Sequence, residues 1–286
     1  MIMAKLTITT VTDPMMGMLW ETWPTMRKLE THYGDQIDFK FMMGQLVKNV
    51  YDLVDPNVTQ MYGKKVALNQ YWTRLMQVYL QEEQIAGMPI YMGGNERLFD
   101  EEHLSSVPLN LGFLAIAGND SEKENQVLYE MQYDTVVNNL QTNDIKYLTA
   151  LASKFGIDQS QFESRYNSTG VKGHLAQSQQ IMQQMKIDQL PAYILTYNGK
   201  SYIIKGIPKY DEWQRLIKQV TDDEIKASRI EANSETINAF INCHPHISSL
   251  ELKEAFDVEE KDVVELLKET PLEKEKVKST IFYRKA

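Results

Sequence analysis

One cysteine, Cys243, stands in a chain of 286 residues. No disulfide can close within such a chain, and no redox Cys-x-x-Cys pair can be written. A chain this long buries enough apolar surface to hold together without a covalent staple. The scarcity suits a reducing cytoplasm. Long apolar runs are missing too: no stretch approaches the roughly 18 residues of a membrane-crossing helix. Met1-Ile-Met-Ala-Lys5 lacks the basic segment, apolar run and cleavage site of a signal peptide. Positive charge is also short. The 30 Lys and Arg face 39 Asp and Glu, a net of −9. That balance disfavours nucleic acid and anionic membranes as partners. What remains is an ordinary globular composition, 43% hydrophobic and 24% charged, with 15 methionines. Such a methionine count reads first as an adaptable core and second as an adaptable binding surface.

Leu6 to Val11 is an apolar, β-branched run that predicts a strand. Asp13-Pro14 turns the chain, and Leu19, Trp20, Trp23, Met26 and Leu29 follow at helical spacing. Pro24 inside that pattern removes a ladder hydrogen bond and predicts a kink. Gln36 to Met43 alternates and predicts a second strand, parallel to the first across a crossover. From about 66 to 187 the pattern is helical, interrupted by turns such as Gly93-Gly94-Asn95, with Leu68, Tyr71, Trp72, Leu75 and Met76 as one stripe. Strand signals return at Leu190 to Tyr197. Asn198-Gly199 predicts a hairpin turn before Ser201 to Ile204, and a helix over Asp211 to Val220 follows. Past Asp222 a small helical unit covers Ser234–Ile241, Ser248–Phe256 and Glu259–Leu267. An alternating tail near Lys276 to Tyr283 predicts a short strand.

The turn and helix start carry a resemblance. Asp13-Pro14-Met15-Met16-Gly17-Met18-Leu19-Trp20 resembles the Asp-Pro-x-Cys-x-x-Cys-Trp opening of the DsbA/FrnE group of thioredoxin-fold proteins. Leu190-Pro191 resembles that group's cis-proline before a strand, and the helical block between them fits its insertion. The likeness spans about residues 5–221. It implies an α/β thioredoxin fold, formed by 1–65 and 186–222, with an all-helical insertion at 66–185. A small C-terminal helical, winged-helix-like module covers 223–286. Thr236 to Ile241, Ser249 to Val263 and Lys274 to Arg284 resemble the C-terminal module of YjbH (SpxH) proteins. Those are cytoplasmic adaptors that present the transcription factor Spx to the ClpXP protease. Here Met16 and Leu19 stand where that family keeps its cysteines.

Thiol–disulfide exchange needs an attacking thiolate and a second sulfur. Met16 cannot ionise and Leu19 has no heteroatom. A glutathione-dependent isomerase or transferase with a serine at the first cysteine position meets the same obstacle at Met16, and stands as the alternative, with other dithiol-disulfide isomerase-family enzymes. Cys243-His244-Pro245-His246 is expected to form no metal site, because sequence-adjacent ligands rarely converge on one ion. Instead Cys243 is expected to be a buried small hydrophobe, with Ser248 capping the next helix. Residues 223–286 hold 14 acidic and 10 basic residues, a net of 10 − 14 = −4 that argues against reading DNA. No cofactor is expected.

The corner thus loses its redox chemistry and keeps a surface. In this fold the helix start and the cis-proline loop lie side by side, and a partner segment adds there as a strand. The candidate residues are Asp13, Pro14, Met15, Met16, Met18, Leu19, Trp20, Leu190 and Pro191. The expected partner is a protein, an Spx-like regulator together with the Clp protease.

Overall fold

A computed structural model describes residues 4–94, 96–118 and 120–285. The signal-peptide reading at Met1–Met3, and the Asn95 end of the predicted loop, lie outside the described residues.

Strand β1 (Leu6–Thr12) is central in a four-stranded sheet of order β2-β1-β3-β4. It pairs parallel to β2 (Ile37–Met43), Leu6 opposite Ile37, and antiparallel to β3 (Ala192–Tyr197). Strand β4 (Lys200–Lys205) returns from β3 through Asn198 and Gly199, whose φ angles of +48° and +75° build the turn that the Asn-Gly pair predicts. Alternation along β1 sends Leu6 and Ile8 to one face, against Trp23, Met26 and Trp213. Val11 points to the other, against Ile187 and the methionines at the end of the insertion.

The crossover from β1 to β2 is two helices. Helix α1 (Gly17–Trp20) ends where Thr22 N–H donates to the Leu19 carbonyl at 2.8 Å, and α2 (Trp23–Tyr33) begins with Pro24 in its first turn. Pro24 therefore starts a helix, where its missing N–H costs nothing, rather than kinking one.

The helical block opens earlier than its periodicity indicates, at α3 (Pro56–Tyr62), which Asp55 caps. It continues through α4 (Lys64–Glu82), α5 (Val107–Ala117), α6 (Ser121–Val136), α7 (Ile145–Lys154), α8 (Gln159–Asn167) and α9 (Thr169–Gln184). Helix α10 (Tyr210–Val220) closes the thioredoxin part, with Trp213 and Ile217 turned inward. Among the described residues no helix is long and apolar enough to cross a membrane.

The C-terminal module adds a sheet to its helices: α11 (Ser234–Cys243), β5 (His246–Ser248), α12 (Ser249–Phe256), α13 (Glu260–Leu266), β6 (Leu272–Val277) and β7 (Thr280–Lys285). The strands form an antiparallel sheet of order β5-β7-β6. The β6–β7 hairpin is longer than the tail alternation predicts, because Glu273, Lys274, Glu275 and Lys276 form an edge strand whose charges blur the pattern. Its core is Ile237, Ile241, Ile247, Leu252, Val263 and Tyr283. Ser248 caps α12 as expected, in a reciprocal box with Glu251. Cys243 is a correction: it is exposed. Helix α11 buries Ile237 and Ile241, one turn apart, and Cys243 two residues on faces away.

The module packs on α2 through α12. Arg27 Nε donates to Glu251 Oε1 at 3.1 Å, and Tyr129 of α6 donates to the other Glu251 oxygen at 2.6 Å. Thr31 donates to the Ala255 carbonyl, and Lys28 pairs with Asp257. Phe282 of β7 stacks on Trp20, ring centroids 6.2 Å apart at 15°.

Candidate functional site

The turn after β1 is built around Asp13, which is fully buried. Its Oδ1 accepts from Met15 N at 3.2 Å. Oδ2 accepts from Leu46 N at 2.8 Å, Ser106 Oγ at 2.7 Å and Asn110 Nδ2 at 2.8 Å. Burial raises its pKa against the downward pull of these four donors. One carboxylate thus ties the turn, the segment after β2 and the start of α5 together. Pro14 is buried beneath, and Met16 N–H closes the turn on the Asp13 carbonyl at 3.0 Å.

Met15 and Met16 are buried, at 2% and 6% exposure, and so is Leu19 at 2%. Their cover comes from the insertion. Tyr79 of α4 donates to the Met15 carbonyl at 2.6 Å. Gln132 of α6 donates to the Met16 carbonyl at 3.3 Å and accepts from Trp23 Nε1 at 2.7 Å. Trp20, also buried, donates to the Pro89 carbonyl at 3.1 Å. Glu82 lies over the start of α1, and a Cβ on Gly17 would sit 2.5 Å from Glu82 Oε2 and 2.7 Å from the Tyr79 ring. Only a glycine lets α4 come this near. Burial lifts Glu82 to about 7, opposed by a hydrogen bond from the Met18 amide. Glu21 is buried as well. Its Oε2 accepts from Ala86 N and Met88 N, while Oε1 finds no partner, and burial lifts it to about 8.

The second half of the corner is the loop before β3. Leu190-Pro191 is a cis peptide bond. The Leu190 side chain lies on Gly44, where a Cβ would be 2.5 Å from Leu190 Cδ1. Gly44 N–H in turn donates to the Thr12 carbonyl at 2.6 Å. The structure therefore brings Thr12, Asp13, Gly44 and Leu190 side by side. Pro191 is buried, and its carbonyl accepts from Gly206 N. The amide and carbonyl of Leu190 take no partner among the described residues. The apolar surface left at the corner comes from Met18 and Leu190, both part-exposed, and from Leu46, 43% exposed.

No side chain here is an ionisable sulfur or a hydroxyl placed to attack. The titratable groups are Glu82, Glu21 and Asp13, two of them with pKa values near neutrality. Among the described residues no group of three or more His, Cys, Asp or Glu is arranged to hold a metal. His244 and His246 each face a carboxylate: His244 Nε2 lies 2.8 Å from Glu30, and His246 Nδ1 lies 2.7 Å from Glu130.

Sequence reasoning misses Tyr79, Glu82, Gln132, Ser106 and Asn110. For Glu82 a signal exists, since it extends the Leu75, Tyr79 stripe of α4 by one more turn. A carboxylate at a core-facing position marks either a pairing or a site. Nothing in the sequence points to Ser106 or Asn110, whose role rests on a contact across more than ninety residues.

Residues 10–215 match the model of the family described as Thioredoxin. No curated protein matches. Among solved structures, the chain is similar to a candidate protein disulfide isomerase from Nitrosomonas europaea, 17% identical with a TM-score of 0.60, over 75% of this chain and 97% of that one. It is similar to the cytosolic disulfide reductase DsbM from Pseudomonas aeruginosa, 18% identical with a TM-score of 0.55, over 74% and 97%. A probable DsbA oxidoreductase from Streptomyces coelicolor is 14% identical with a TM-score of 0.56, over 79% and 94%. At such identities the likeness establishes the DsbA-like thioredoxin fold.

Proposed function

The chain belongs to the thioredoxin family, and from that membership we propose that it is a redox-inactive, DsbA-like binding protein of the cytoplasm. In this reading it acts as an adaptor of the YjbH type, presenting a regulator of the Spx type to the ClpXP protease. The observation that carries the loss of chemistry is that Met16 and Leu19, both buried, stand at the two cysteine positions. A thioether and a hydrocarbon form no disulfide and so take no part in thiol–disulfide exchange.

The partner segment lies along Leu190, whose free amide and carbonyl offer the two hydrogen bonds of an added strand. Met18, Leu46 and Leu190 supply the apolar contact. Asp13, Pro14, Met15, Met16, Trp20 and Pro191 form the support beneath. The appended module agrees with the adaptor reading through its YjbH-like segments.

The test is capture of purified Spx-type regulator by the full chain, followed by its degradation by ClpXP with and without the chain. Binding with faster degradation supports the adaptor; neither refutes it. A glutathione titration separates the other reading. A saturable thermal shift with turnover of a disulfide or isomerase substrate would place the chain among glutathione-dependent enzymes.

A further inference from the structure

A seam between the C-terminal module and the insertion holds an open-sided cavity of about 240 Å³. It lies away from the corner, and its walls come from four elements. Arg27 is from α2, Asn125 and Tyr129 from α6, Lys154 and Phe155 from the end of α7, and His244 from the module.

The charges around it divide into those already spent and those left over. Glu30 is held by Arg27 Nη1 at 2.9 Å and by His244 Nε2 at 2.8 Å. Glu130 is held by His246 at 2.7 Å and Arg284 at 3.0 Å. Glu251 is held by Arg27 Nε and Tyr129. Every carboxylate at the seam is thus matched internally. Three nitrogens remain without a partner among the described residues: Nη2 of the buried Arg27, Nζ of Lys154 and Nδ1 of His244, the last sealed from solvent. One acceptor remains, the buried Oδ1 of Asn125. Phe155, Tyr129 and Pro245 supply apolar wall between these groups.

A guanidinium nitrogen and an exposed ammonium, both with donors free and facing one cavity, suit an anionic acceptor, since charge-assisted hydrogen bonds are the strong ones. A lone amide oxygen calls for a donor on the same molecule. Aromatic and pyrrolidine walls call for an apolar body, in a space at the small end of ligand sites.

We propose that this seam is a binding site for a small aryl-substituted hydroxycarboxylate. The carboxylate meets Arg27 and Lys154, the hydroxyl donates to Asn125, and the ring lies against Phe155 and Tyr129. Such a ligand touches α2, α6, α7 and the module at once, so binding it fixes the module on the core.

Mandelate is the probe, titrated into the full chain by calorimetry and thermal shift. The expected result is saturable binding with a raised Tm and a shifted His244 imidazole resonance. Phenylacetate, lacking the hydroxyl, is expected to bind several-fold more weakly, and neutral mandelamide not measurably. Lys154→Ala, at an exposed position outside any ion pair among the described residues, is expected to lose about tenfold in affinity, the worth of one charge-assisted hydrogen bond. Lys154→Glu is expected to abolish binding while leaving the unliganded Tm unchanged. Absence of saturable binding overturns the proposal. So does an equal response to mandelamide, an equal response to inorganic phosphate, or indifference to Lys154→Glu.

Discussion

Arg27 and Glu251 form an ion pair sealed from solvent, with 1% and 0% of their side chains exposed and 3.1 Å between Nε and Oε1. One belongs to the helix that follows the old active-site turn, the other to the C-terminal module. A buried charge costs far more alone than paired. Arg27 is further shared with Glu30 and lies over the Trp23 ring at 4.5 Å.

Replacing Glu251 with Ala leaves the Tyr129 hydroxyl unmatched, removes one of two counter-charges from Arg27 and breaks the cap of α12. The expected loss is about 3–5 kcal/mol by urea denaturation. Amide exchange should quicken first in residues 246–285, because the pair sits on their only buried charged contact with α2 seen among the described residues.

The stability of the chain should fall from mildly acidic to mildly alkaline pH. Glu21 and Glu82 rise from 4.5 to about 8 and about 7 through burial. The folded chain therefore keeps protons that the unfolded chain releases. Their contribution is full below about pH 4.5 and is lost as pH rises through the folded values. Glu30 acts oppositely. Against the upward push of burial, Arg27 and His244 hold it at about 2, so its contribution is present above 4.5 and lost as pH falls towards 2. Glu21→Gln should flatten the alkaline slope and exceed the parent by about 1–3 kcal/mol near pH 8. Chemical denaturation across the pH range measures it.

Gly17→Ala drives a methyl into Glu82 and the Tyr79 ring. The expected cost is about 1–3 kcal/mol, read by thermal or urea denaturation. Shortening Glu82 to Ala in the same chain should recover part of it, since Oε2 is the nearest atom.

Restoring the sulfurs tests whether burial alone silences the corner. The Met16→Cys, Leu19→Cys double variant is expected to resist alkylation in the native state and react after unfolding. Insulin reduction should stay at the buffer rate, because both positions are sealed and the nearby Glu82 carboxylate disfavours a thiolate.

The parallel first pair of strands, the hairpin and the helical block were legible because each rests on local pattern: the β-branched run of β1 and the alternation of β2, Asn198-Gly199, the stripe of α4. The early start at α3 was less so, since Pro56 to Tyr62 buries none of its residues and carries no apolar stripe. The motif picks out the corner residues and leaves open whether the insertion covers them. Whether Met15 and Met16 face a partner or a neighbour depends on Tyr79 and Gln132, which arrive from distant helices. Cys243 failed for a comparable reason. Its composition suggests the interior, and the facing of α11 is set by Ile237 and Ile241.

The seal over α2 also has an order in time. Arg27 leaves the ribosome 224 positions ahead of Glu251. Until α12 emerges, the nascent thioredoxin part carries a guanidinium against Trp23 without its second counter-charge, and until β7 emerges the Trp20 ring lacks Phe282 above it. A product cut short before α12 therefore leaves the Arg27 and Thr31 face of α2 bare, whereas one cut between α12 and β7 uncovers only the Trp20 ring.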